Sequence, residues 1–193
     1  MNYKVFFAYQ SDIPEEYGKK FIHDAMNKTI SRFKKEGINI ELDFGMRKTP
    51  GNPLLIDEML RKSKEADLVL VDLTFTSSKN WFESKKVNFF NKEIRVLNKV
   101  DEKKSSNPNA LIETGYAWAQ KGFNRTVLLM NIAYGSPDEL PVDLKGFRYA
   151  IPFDLSKNNF DKVKDKRNEF SDDLYNAIKT AINSEADYQR DNW

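Results

Sequence analysis

Residues 107–118 read Asn-Pro-Asn-Ala-Leu-Ile-Glu-Thr-Gly-Tyr-Ala-Trp, and their one charge, Glu113, sits among apolar neighbours. Asn107 followed by Pro108 is a helix start, a capping side chain before a first-turn proline. Gly122 is the matching stop. With Asn107 as cap, the third helical position is Ala110. Glu113 then comes a turn too late to close a capping box and lies beyond most of the helix dipole's reach. Two readings remain. Glu113 is either an exposed position on an amphipathic helix or a carboxylate facing a ligand crevice. Burying a carboxylate is costly unless it finds a partner. In a crevice it can stabilise positive charge developing on a sugar carbon or orient sugar hydroxyls, as in cleavage of a glycosidic bond.

Other chemistries narrow quickly. The chain has no Cys and a single His. Thiol nucleophiles, disulfide frameworks and Cys/His zinc sites are therefore excluded. His23 falls on a predicted first helix, remote from the predicted ligand edge, and reads as a structural or surface residue. Asp12, Asp43 and Asp72 each follow or end a predicted strand. Three carboxylates at one edge could hold magnesium. Single aspartates at strand ends more often cap loops, so no metal is expected.

The elements that must position these residues alternate. Val5–Tyr9, Ile38–Phe44, Leu68–Leu73, Thr126–Met130 and Arg148–Phe153 read as strands. Helical periodicity separates them, from Phe21 to Phe33, from Leu55 to about Ala66, from Asn107 to Lys121, and from Phe160 onward. Asn52 before Pro53 reads as the cap of the second helix. Phe90, Ile94 and Leu97 at i, i+4 and i+7 predict a further helix inside a charged insertion at 75–106. Strand–helix alternation implies an α/β fold. It is a five-stranded, parallel, doubly wound, flavodoxin-like sheet with helices on both faces. Ligands of such sheets lie beyond the C-terminal strand ends. That rule selects Tyr9–Asp12, Asp43–Arg47 and Asp72–Thr74, and the helix starting at Asn107 adds Asn109 at the same edge.

Lys+Arg is 31 and Asp+Glu 29 in 193 residues, a net charge of +2 that argues against a large nucleic-acid-binding surface. Phe82, Phe89 and Phe90 interleave with Lys85, Lys86 and Lys92, but Glu83 and Glu93 dilute that charge, and no nucleic acid is expected. No apolar run reaches the ~18 residues of a membrane span. Met1–Tyr9 lacks the order of a signal peptide, so a cytoplasmic location is expected.

The stretch from Asn107 to Ala117 resembles the NPN-x-x-x-E-x-G-Y-A signature of bacterial Toll/interleukin-1 receptor-like (TIR) nucleotide-binding domains. Val5–Ser11 resembles the first TIR strand, and Ala66–Thr74 the third. Gly45–Pro53 is similar to the BB loop, with Pro50-Gly-Asn-Pro53 like the turn before the second helix. Leu140–Leu144, followed by an aromatic strand, is similar too. The resemblance covers about residues 3 to 155. Residues 156–193 form a C-terminal helix and tail, expected to lead to a sensor module.

What the resemblance implies is specific. The fold would be TIR, and the activity an NAD+ glycohydrolase releasing nicotinamide and ADP-ribose, linear or cyclised. Glu113 would be catalytic. Tyr9, Gln10, Ser11, Phe44 and Arg47 would line the pocket, and the sheet-edge rule adds Asp72, Thr74 and Asn109. NAD+ is then a substrate, and no cofactor is expected. The family further implies self-association through Gly45–Pro53 and a cyclic-nucleotide sensor domain or protein as partner, in antiphage defence. There are departures. Gln10 and Ser11 stand where some animal members carry basic residues, and Trp118 follows the glutamate, whereas other members place a Trp before it. Two other classes stay open. One is a nucleoside deoxyribosyltransferase-like enzyme, which shares the sheet and an E-x-G-Y-A stretch. The other is a TIR interaction module without chemistry.

Overall fold

The computed structural model describes residues 1–45, 55–89, 92–145 and 150–184. Its central sheet contains β1 (Asn2–Ala8), β2 (Asn39–Phe44), β3 (Leu68–Asp72), β6 (Thr126–Asn131) and β7 (Ile151–Phe153), in the order β2-β1-β3-β6-β7. Every neighbouring pair is parallel. The helices are α1 (Lys19–Lys35), α2 (Leu55–Glu65), α3 (Pro108–Lys121), the short α4 (Val142–Lys145) and α5 (Val163–Asn183). The expected five-stranded, doubly wound architecture is thus present.

Strand composition explains strand position. All residues of β3 and β6 are buried, as are Val5 to Ala8 of β1. Central parallel strands covered on both faces need such continuous apolar runs. β2 mixes buried and exposed positions along one edge. β7, on the other edge, carries Pro152, which an edge strand tolerates.

Alternation along each strand divides the core into two layers. Val5, Phe7, Leu68, Leu70 and Leu129 face α1 and α5, packing with Phe21, Met26, Phe33, Phe170, Leu174 and Ile178. Phe6, Ala8, Val69, Val71 and Met130 face the other way, packing with Met59 of α2, with Ala66 just after it, and with Ala110 and Ala117 of α3. Each fully buried side chain of this size contributes about 1.5–3 kcal/mol. Phe170, Leu174 and Ile178 are at most 2% exposed, so α5 belongs to the core of the sheet domain.

The insertion differs from expectation. Residues 75–106 contain no helix along their described length. They form an antiparallel ribbon of β4 (Phe75–Phe89) and β5 (Lys92–Ser106), a separate two-stranded sheet. Phe90 lies outside the described residues. The i, i+4, i+7 match was local, whereas Val87, Ile94, Val96 and Val100 are β-branched residues that favour strands. Smaller shifts occur at boundaries. β1 ends at Ala8, leaving Tyr9 just beyond it, and α5 begins at Val163 after a 3-10 turn. Asn52, Pro53 and Arg148 lie outside the described residues. Among the described residues no helix is long and apolar enough to cross a membrane.

Candidate active site

The strand order reverses direction at β1, which neighbours β2 on one side and β3 on the other. That switch point is where doubly wound sheets bind ligands. Gln10 follows β1, and Asp72 ends β3. Both are buried, Asp72 completely. Gln10 Oε1 accepts from the Asp12 N–H at 3.2 Å. Asp72 Oδ1 accepts from the Thr74 N–H at 3.0 Å and from the Thr74 hydroxyl at 2.5 Å. Among the described residues Gln10 Nε2 and Asp72 Oδ2 make no well-formed hydrogen bond, although the Gln10 side chain lies close enough to Asp72 to favour its charged form. Burial pushes the Asp72 carboxyl up to about 6, against the opposing pull of Thr74 and Gln10. A buried polar group left without a hydrogen bond costs roughly 1–3 kcal/mol, and at this edge Gln10 and Asp72 offset part of that cost for each other.

Thr74 does more than cap this corner. Its hydroxyl oxygen accepts from the Asn131 N–H at 2.9 Å, tying the end of β3 to the end of β6. The Asn131 amide donates to the carbonyls of Tyr17 and Leu155, and its oxygen accepts from the Leu155 N–H. The floor of the edge is therefore fixed by a connected polar network.

The helix that carries Glu113, α3, starts at this edge. The Asn107 side chain accepts from the Asn109 N–H at 2.8 Å, which is the expected cap. The Asn107 amide donates to Asp12 Oδ2 at 2.6 Å, holding the start of α3 against the loop after β1. One turn further, Ala110, Glu113, Thr114 and Ala117 form the buried face of the helix. Glu113 is 4% exposed, which removes the surface reading. Among the described residues it has no hydrogen bond or ion pair. The Thr114 hydroxyl, its neighbour, is spent on the Ala110 carbonyl at 2.7 Å. Desolvation pushes the Glu113 carboxyl up to about 7. The fold thus buries a carboxylate with no counter-charge among the described residues.

Tyr9 and Phe44 occupy the other face of the same edge. Tyr9 packs with Phe7 and Phe44, ring centroids 5.8 and 6.2 Å apart, and Lys19 Nζ lies 4.4 Å above its ring. With Lys20, His23 and Gly45 they line a cavity of about 300 Å³. His23 departs from expectation. It packs edge-on against Phe44, centroids 5.2 Å apart, and so stands at the ligand edge instead of remote from it. Residues alternating with Val5 and Phe7 face α1, so the parity of Tyr9 was the signal for this neighbourhood. Lys62 was also missed as a polar residue. Its ammonium is buried, 3.1 Å from Asp43 Oδ1 and 2.9 Å from the Gly45 carbonyl.

The remaining expected site residues separate. Ser11 and Asn109 are exposed at the edge. Arg47 and the Gly45–Pro53 loop beyond Gly45 lie outside the described residues. Asp12, Asp43 and Asp72 do not converge. Each has its own partner, respectively Asn107, Lys62 and Thr74. Among the described residues no group of three or more acidic or His side chains could hold a metal ion. No family model matches the chain, and no curated protein matches it.

Proposed function

We propose that this chain is a TIR-type NAD+ glycohydrolase in which Glu113 is the catalytic carboxylate. The observation that carries the reading is the burial of Glu113, with no counter-charge among the described residues, on a helix that starts at the ligand edge. NAD+ brings a cation to that carboxylate. As the bond between ribose C1′ and the nicotinamide nitrogen breaks, nicotinamide leaves with the electron pair and becomes neutral. C1′ gains oxocarbenium character, and the Glu113 carboxylate stabilises it. Water then adds to C1′ and loses a proton, giving ADP-ribose. A neutral leaving group needs no general acid. Adenine attack in place of water gives the cyclised product.

The geometry suits an extended dinucleotide. The Tyr9–Phe44 cavity lies at the C-terminal edge on one face of the sheet, and the helix that carries Glu113 starts at that edge and packs on the other face. A ligand of two nucleotides crossing at Gln10 and Asp72 reaches both. Gln10 Nε2 and Asp72 Oδ2 are the unsatisfied polar atoms such a ligand would meet on the way.

The activity would require self-association through the Gly45–Pro53 segment, and an effector role in antiphage defence under a cyclic-nucleotide sensor would follow from the same resemblance. The test is product release. Concentrated protein incubated with NAD+ should liberate nicotinamide, and deoxynucleosides in parallel should release no free base. Base release from deoxynucleosides alone would assign the chain to the deoxyribosyltransferase class. No release from either would leave an interaction module.

A further inference from the structure

The net charge of +2 conceals an uneven distribution. Residues 75–106 hold eight of the 31 Lys and Arg but only four of the 29 Asp and Glu. The ribbon therefore carries +4 and the rest of the chain −2. Lys104, at its foot, pairs with Glu139 at 3.0 Å. Seven cations and four acids remain on the length beyond it, so matching every acid still leaves a positive excess. The cross-strand register brings Lys79 opposite Lys103 and Lys86 opposite Arg95.

The same segment is a two-stranded ribbon apart from the main sheet. Fifteen residues per strand give it a length of about 50 Å. Its feet are anchored. Phe75 is buried against the body, and the Ser106 hydroxyl donates to the Leu73 carbonyl at 2.6 Å. An isolated two-stranded ribbon is marginal in water, and so long a one is expected to rest on something. The major groove of duplex DNA admits a two-stranded ribbon, and a cation excess along its length meets the phosphates on either side. A 50 Å ribbon covers more than one helical turn of about 34 Å.

We infer that the β4–β5 ribbon is a binding arm for duplex nucleic acid, held chiefly through the phosphate backbone. The inference is independent of the proposed NAD+ chemistry, although both feet of the arm stand at the same edge. β4 leaves from the Asp72–Thr74 corner, and β5 runs into Asn107, the cap of the Glu113 helix.

The probe is a fluorescent DNA duplex of about 24 base pairs, followed by anisotropy at about 50 and 200 mM salt. The intact chain should bind at the lower salt and lose about 50-fold in affinity at the higher, the scale of three or more phosphate contacts. Replacing residues 79–103 with a short glycine turn should abolish binding while the thermal transition of the body persists. Should that deletion fail to fold, the fourfold variant Lys85→Glu, Lys86→Glu, Arg95→Glu, Lys99→Glu decides, with an expected loss of at least 10-fold. No duplex binding by the intact chain overturns the inference, as does wild-type binding by the charge-reversed ribbon. Tighter binding of single strands, or equal binding of a polyglutamate peptide, also overturns it, since neither uses a groove.

Discussion

Glu113 is a carboxylate whose pKa is raised, so its protonation is linked to stability with a definite sign. Between the ordinary glutamate value of 4.5 and about 7, the folded protein holds a proton that the unfolded chain has released. Stability therefore falls as pH rises through that window, and above it the full cost of a buried charge is present. A shift of this size corresponds to about 3 kcal/mol. Glu113→Gln keeps the shape and removes the titration. It should melt roughly 5 °C or more above the wild type at pH 8, with the difference shrinking towards zero at pH 5. Equal melting temperatures at pH 8 would mean that Glu113 has a counter-charge after all. A residue that destabilises its own fold is what a site, as opposed to a scaffold, retains. Asp72 extends that pattern one strand further, a fully buried carboxyl that burial pushes up to about 6 against the pull of Thr74 and Gln10.

At the scale of elements, α2 is locked to the end of β2 by the buried Lys62–Asp43 pair. That contact also fixes the Gly45 carbonyl, where the chain turns towards residue 46. Removing one partner of a buried pair leaves the other charge stranded, at about 3–5 kcal/mol. Lys62→Met should cost that much in denaturant unfolding, and Lys62→Met combined with Asp43→Leu should recover most of it. A single variant as stable as the wild type would show that the pair does not hold α2. The central strands were legible because continuous apolar runs such as Leu68–Val71 have few other uses, and α3 was legible from Asn107, Pro108 and Gly122. The burial of Glu113 was legible from its neighbours. The ribbon was not, since Phe90, Ile94 and Leu97 fit a helical period while the same stretch alternates as a strand. Short apolar spacings do not arbitrate between the two. Lys62 was invisible as a buried group because a lysine on a charged helix reads as solvated, and only its partner at the end of β2 reveals it.

For the whole molecule, the NAD+ reading implies an enzyme that works as an assembly. Gly45 has φ 58°, with Tyr9 Oη close by, and begins the segment proposed to meet a neighbouring copy. If the competent arrangement needs that neighbour, a lone domain populates it rarely and apparent rate falls by the same fraction. Specific activity should then climb more steeply than linearly with protein concentration, in step with oligomer size measured by light scattering. A high, constant specific activity from a strict monomer would contradict assembly control while leaving the chemistry intact. The central claim, that a buried and uncompensated carboxylate on α3 cleaves NAD+, meets its most direct test in nicotinamide release by matched wild-type and Glu113→Gln protein. Both are assayed at the concentration where the wild type is assembled. The account predicts steady release by the wild type and a loss of at least about 100-fold in the folded variant, the scale of one lost electrostatic contact. Near-equal release by the two proteins would contradict it.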